Sequence, residues 1–293
     1  MIHTRICWGV LAFVAGASVA QAQRPATPTR RTAARADTVQ HSPFIPGGHW
    51  RPGPPAPIPE PPLDTPVSAS VSPMDSAGFF AHPNGLLLRP GTSVFQLVLR
   101  RDTALVPLGT RTVSVTEAML AGVSDWLIAE SRTGTAIATS DSLHLHRSDL
   151  TPMRWTARNG LSQLAVSFTP DSMFAAVQDY QGRGSFAAGV PPGALITTGM
   201  VDGVLELLPL VPGYHTAASV VSVEAGAPRA VGGSIDVERE EQITIGAQSV
   251  DCWVVVLRAG SLEKRYWVAK APQRVVKSEQ QTGAGVLTET ILE

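Results

Sequence analysis

From about Gly91 onward, apolar and polar residues alternate in short runs. Phe95, Leu97 and Leu99 fall on one side of an extended chain and Gln96 and Arg100 on the other, the period of two that marks a half-buried strand. The alternation returns at Val113 and Val115, at Leu164, Val166 and Phe168, at Ile235 and Val237, and at Ile243 and Ile245. Turn residues separate the runs at intervals of roughly 8–12 residues, the spacing of an antiparallel meander, sandwich or barrel, and the count comes to about ten to twelve strands. Asn159-Gly160 predicts a hairpin with a type I′ turn, whose two central positions need positive φ. Gly232-Gly233, Gly260 and Gly283 predict further corners.

One segment departs from this rhythm. Met200, Val201, Val204, Leu205 and Leu208 recur at helical spacing, and Pro209 closes the stretch. The predicted fold is therefore mainly β, an antiparallel meander forming a curved sheet or half-barrel. One short amphipathic helix covers a side or an end of it.

The chain before the domain reads differently. Residues 1–22 have the layout of a secretory signal peptide, with Arg5, a largely apolar stretch of 13 residues from Trp8 to Ala20, and the small-x-small site Ala20-Gln21-Ala22. Cleavage near Ala22 predicts a periplasmic or secreted protein starting at Gln23. No apolar run reaches the 18 residues or more of a spanning helix, so no transmembrane helix is expected once the signal is removed. Residues 23–89 read as a Pro-rich disordered tether, since 43–66 hold ten of the 24 prolines and proline favours extended, unpaired conformations. The β-rich envelope domain is then 90–293. Cys7 leaves with the signal peptide, and Cys252 remains alone in an apolar run, where a thiol behaves as a small hydrophobe.

Composition narrows the function by exclusion. Lys and Arg number 23 against 24 Asp and Glu, a net charge of −1 that supplies no field for nucleic acid. Gly at 26 and Pro at 24 argue against a long-helix protein. No zinc-protease helix, nucleophile elbow or phosphate-binding loop is present. Carboxylates are scattered, with no acid/base pair, and no cofactor is expected. The candidate metal ligands are His144 and His146, which share a strand face at i and i+2, with Asp141 or Asp149 close in sequence.

The stretch from Gly246 carries the most information. In Val250-Asp-Cys-Trp-Val-Val-Val-Leu257 both faces are apolar, so this strand is covered on two sides. Lys264-Arg-Tyr-Trp-Val-Ala-Lys270 and Pro272-Gln-Arg-Val-Val-Lys-Ser-Glu279 follow. This succession resembles domain-of-unknown-function family 3108, a bacterial envelope group similar to the periplasmic lipoprotein-carrier half-barrels. Ala269 stands where such families carry Asp or Asn after the Trp-Val pair. The resemblance implies an exported β domain with a hydrophobic concavity and carries over no catalytic residue.

The expected function is a non-enzymatic cell-envelope protein whose half-barrel binds or shields an apolar small molecule, a lipid or an envelope protein. The candidate groove residues are Met200, Val204, Leu205, Leu208, Trp253 and Trp267. The alternatives are a metal-dependent enzyme using His144 and His146, or a purely structural envelope module.

Overall fold

The computed structural model describes residues 83–134, 138–179, 182–224 and 227–292. The predicted signal peptide, and with it the predicted export, and all but the end of the predicted tether lie outside the described residues. Eight strands form a first meander, each antiparallel to the next: β1 (Gly91–Arg101), β2 (Ala104–Leu120), β3 (Val123–Thr133), β4 (Thr139–His146), β5 (Pro152–Asn159), β6 (Ser162–Phe168), β7 (Ser172–Asp179) and β8 (Gly182–Gly189). A two-residue strand, β9 (Leu195–Ile196), and one helix, α1 (Gly199–Leu205), lead into a second meander. Its strands are β10 (His215–Glu224), β11 (Ala227–Ile245), β12 (Gln248–Ala259), β13 (Leu262–Lys270), β14 (Gln273–Thr282) and β15 (Gly285–Ile291).

β15 returns to pair antiparallel with β1, placing Ile291 opposite Phe95 and Leu287 opposite Leu99. The two meanders thereby become one fifteen-stranded sheet, open and strongly curved, running from β8 at one edge through the β1–β15 seam to β9 at the other. Only the β9–β10 pairing is parallel. The predicted fold class holds: mainly β, an antiparallel meander in a curved, barrel-like sheet, with one short helix.

The predicted alternation places the core correctly. Phe95, Leu97, Leu99, Val113, Leu164, Val166, Ile235, Val237 and Ile245 are all buried. Cys252, Val254, Val255, Val256 and Leu257 are at most 1% exposed, so β12 is indeed covered on both faces. The strands exceed the predicted number because several carry no clean alternation. β8, for instance, is Gly-Arg-Gly-Ser-Phe-Ala-Ala-Gly, whose pairing is set by its neighbour rather than by its own pattern.

Three boundaries differ from the sequence reading. Gly232-Gly233 is no corner but the interior of β11, where a Cβ on Gly233 would lie 1.8 Å from the Arg258 carbonyl oxygen. Glycine there permits close approach of the neighbouring strand. The β5–β6 hairpin lies where predicted, but its loop is Gly160-Leu161 and Asn159 is the last paired residue. Asn159 Oδ1 accepts from Ser162 N at 3.1 Å and Ser162 Oγ at 2.7 Å, an Asx-type closure. The domain also begins earlier than residue 90. A 3-10 turn over Gly85–Leu87 is capped by Asn84, and Gly85 N donates to Ser148 O at 2.9 Å. Trp126 Nε1 donates to Gly85 O at 2.9 Å, so residues 83–89 belong to the folded domain.

α1 sits in the concavity of the sheet. Thr198 Oγ1 caps its start by accepting from Met200 N, and Gln273 Nε2 on β14 donates to the carbonyl oxygens of Leu205 and Leu208 at 2.9 and 2.8 Å. Every residue from Gly199 to Leu205 is buried, Asp202 included. The stripe predicted from helical spacing is real, but the helix has no solvent face. Gly199 permits this, since a Cβ there would come within 2.7 Å of Val113 Cγ1 and 3.0 Å of Ile128 Cγ2.

Candidate functional site

Beneath α1 the inward face of the sheet carries charge where alternation would place apolar side chains. Arg111 on β2, 2% exposed, reaches three carboxylates: Asp202 on α1 at 2.7 Å, Glu130 on β3 at 2.9 Å and Glu289 on β15 at 3.1 Å. Arg132 also pairs with Glu130 at 3.1 Å and with Glu289 at 3.2 Å. Lys264 on β13 lies 3.2 Å from Glu289, which also accepts from Ser278 Oγ at 2.9 Å. Three cations thus meet three carboxylates, a neutral set that satisfies most of its own hydrogen-bonding groups as burial requires. The Arg111 guanidinium is further seated over the Phe95 ring, 5.2 Å from its centroid.

The carboxylates do not share one fate. Burial raises the pKa of each, but at Glu130 the attraction of Arg111 and Arg132 wins and brings it down to about 2. Glu289, facing Lys264, Arg111 and Arg132, is held lower still despite its burial. Asp202 pairs directly with Arg111 alone, and burial prevails there, leaving its pKa raised. Asp141 lies on the same inward face; burial and then Glu130 push it up to about 7, while Trp155 Nε1 donates to it at 3.1 Å.

Above this cluster, at one mouth of the sheet, is a cleft of about 780 Å³ between the 3-10 turn, the start of β1, α1 and the β13–β14 turn. Its volume is within the range of small-molecule sites. Leu86 and Leu87, 64% and 62% exposed, form one lip, and Phe95, Val115 and Leu207 continue the apolar wall. Arg89, Arg274 and Glu206 add charge, and Asp202 lies at the junction with the ionic cluster. Burial, and then Asp202, push the Glu206 carboxyl up to about 7 against the opposing pull of Arg274 and a hydrogen bond with the Val275 backbone. A second groove, of about 740 Å³ and lined mostly by polar residues such as Arg158, Gln163 and Gln178, opens beside the β5–β6 hairpin.

The residues singled out from sequence are distributed between core and surface. Met200, Val204 and Leu205 pack into the core at 2% exposure or less rather than facing an opening, and the α1 residues that line the mouth cleft are instead Gly199, Asp202 and Gly203. Leu208 alone of the six candidate groove residues lines the mouth cleft. Trp253 is half-buried with Lys270 Nζ 4.0 Å from its ring centroid, and Trp267 is buried with Lys277 Nζ at 4.1 Å. Neither tryptophan lines the cleft. His144 and His146 do share the outward face of β4, but they do not converge. His144 Nδ1 donates to buried Asp125 Oδ2 at 2.5 Å, while His146 is exposed. Among the described residues no three His, Cys, Asp or Glu side chains are grouped so that they could hold a metal ion. Burial pushes the Cys252 thiol up to about 11, an unreactive position.

Sequence reasoning missed Arg111, Glu130 and Glu289. The signal was present: in Arg111-Thr-Val113, Ile128-Ala-Glu130 and Leu287-Thr-Glu-Thr-Ile291 a charged residue occupies the inward phase of an apolar alternation. Nothing in any one strand shows that the three charges meet.

The comparisons with known proteins add little to this. The chain matches no family model and no curated protein, so no family model carries the resemblance to family 3108. Among solved structures it is similar to a beta-barrel-like protein of domain of unknown function DUF1849 from Brucella abortus, at 8% identity and a TM-score of 0.46. That match covers 70% of this chain and 97% of the other. Among the described residues no helix is long and apolar enough to cross a membrane.

Proposed function

We propose that this is an exported, non-enzymatic envelope protein whose barrel-like sheet holds the apolar part of a small molecule or lipid in the mouth cleft. The observation that supports this reading is the cleft itself, about 780 Å³ with exposed Leu86 and Leu87 at its lip. Exposed leucines facing a concave, partly apolar space are what an apolar ligand would cover. Export rests on the Ala20-Gln21-Ala22 cleavage pattern after a short apolar stretch.

Mass spectrometry of lipids extracted from the natively isolated full-length product tests the binding. An amphiphile stoichiometric with the protein, lost from a Leu87→Glu variant of unchanged melting temperature, is the expected result. Equal recovery from both proteins overturns the assignment of the cleft, and no bound lipid at all, with no saturable uptake of an apolar dye, overturns the carrier role. N-terminal sequencing of envelope material should begin at Gln23; retained Met1 on a membrane-bound form overturns export as a cleaved protein.

A further inference from the structure

We propose that the mouth cleft selects amphiphiles with an anionic head, Arg89 and Arg274 receiving the head and Glu206 opposing it from the helix end. This rests on the reading of the cleft as a ligand site and adds the chemistry of the ligand's polar end.

The charged side chains lining the cleft are four: Arg89 from the segment before β1, Arg274 on β14, and Asp202 and Glu206 at α1. Asp202 is already committed to Arg111 at 2.7 Å. Arg89 and Arg274 are both exposed, and among the ion pairs and side-chain hydrogen bonds recorded for the described residues neither takes part in one. Glu206 is the only other carboxylate on the lining, and it is more than half withdrawn from water. A partly apolar lining that also carries two exposed guanidiniums without an ion pair or side-chain hydrogen bond suits a chain whose head carries carboxylate, phosphate or sulfate, because a guanidinium donates two parallel hydrogen bonds to such a group. A neutral head finds no equivalent partner, and a cationic one only the Glu206 carboxylate, half-buried and already under the pull of Arg274.

Glu206 makes that selection dependent on pH. Its carboxyl is pushed up to about 7, first by burial and then by Asp202, with Arg274 acting the other way. Below about pH 7 it is neutral and the lining presents the two arginines to the ligand. Above it, the carboxylate adds a negative charge beside Arg274 and repels an anionic head. Affinity for an anionic amphiphile therefore falls as pH rises through about 7, whereas a neutral amphiphile of the same chain binds equally at both ends of that range.

The experiment titrates the full chain with a dansyl-labelled fatty acid and with its alcohol-headed twin, at about pH 6 and about pH 8, either side of the Glu206 transition. The expected result is roughly tenfold tighter binding of the acid than of the alcohol at the lower pH, a difference that shrinks at the higher pH. In Arg89→Gln/Arg274→Gln the preference for the acid disappears while the alcohol binds as before. In Glu206→Gln the acid binds tightly at both pH values. Equal binding of acid and alcohol in the unaltered protein overturns the head selection and leaves the cleft as a ligand site; failure of both probes to bind overturns the cleft reading with it. The pH series on the unaltered protein needs no variant to fold. Displacement of the probe by dissolved decanoate marks a free amphiphile as the source of the anionic head, and displacement only by phosphatidylglycerol vesicles marks a membrane lipid.

Discussion

Two ionic clusters occupy the same sheet in opposite circumstances. Inside the curve, Arg111, Arg132 and Lys264 meet Glu130, Asp202 and Glu289, with the carboxylate side chains 2–8% exposed. On the surface of β11–β13, Arg258 pairs with Asp236 at 3.3 Å, Glu238 at 2.8 Å and Glu263 at 3.3 Å, and its side chain is 42% exposed. Both have an arginine reaching three carboxylates. The difference is water. The outer arginine keeps its hydration when a partner is lost, while the inner one is the only counterion in contact with Asp202, so its removal strands a charge in the protein interior. The inner cluster, with Gln273, also ties α1 to the sheet, since Arg111 joins Asp202 to strands on either side of the β1–β15 seam.

The largest break in this contrast comes from Arg111→Met. Urea unfolding should show a loss of about 3–5 kcal/mol, the cost of leaving buried carboxylates without their cation. The comparison sharpens in the double variant Arg111→Met/Asp202→Leu. Two cations and two carboxylates then remain, and most of the loss should be recovered. A single variant within about 1 kcal/mol of the parent would place the inner arginine in the same class as the outer one.

Acid should act on the inner cluster next. Glu130 and Glu289 have folded pKa values below their unfolded ones, so their stabilisation is present above about pH 4.5 and is lost as pH falls toward about 2. Stability measured by denaturant at stepped pH should fall through that window by about 3 kcal/mol for each of the two carboxylates, and less steeply in Glu130→Gln.

Asp141 gives a slope of opposite sign. Its folded pKa of about 7 exceeds the ordinary aspartate value of 3.8, so the folded state holds a proton that the unfolded chain releases, and stability declines as pH rises between these values. Asp141→Asn should abolish about 4 kcal/mol of that decline and leave the protein more stable than the parent at about pH 8. A decline that persists in the variant assigns it to the other two carboxyls that burial raises, Glu206 and Asp202.

The smallest effect belongs to the outer cluster. Arg258→Gln should cost about 0–1 kcal/mol and change little more in high salt. A loss of more than about 2 kcal/mol would mean that the outer cluster is energetically coupled to the buried stretch of β12, the strand that carries Arg258.

Legibility in the sequence followed the same division. Alternation located Phe95, Leu97, Leu164 and Val166 in the core and α1 by its spacing, because burial of an apolar face is written locally, every second or every third to fourth residue. The pairing of Phe95 with Ile291 is not written locally, and neither is the meeting of residues 111, 130, 202 and 289. The enclosure of α1 was likewise hidden: Asp202 reads as the polar face of an amphipathic helix until Arg111 is seen opposite it. The cleft escaped for a related reason, since its lip, Leu86-Leu87, lies in a segment whose neighbours in sequence are rich in proline.

The seam between β1 and β15 also sets a timetable. Every other antiparallel pairing in the sheet joins strands consecutive in the chain, whereas Phe95 and Ile291 are about 200 residues apart. Closing a loop of that length costs about 2–3 kcal/mol more than closing a short hairpin. It also cannot happen during synthesis until the final strand has been made. Glu289 arrives with that strand, so Arg111, made some 180 residues earlier, must wait for its full set of partners. Hairpins of the first meander can form early, but the strand that locks them to the second is made well after them.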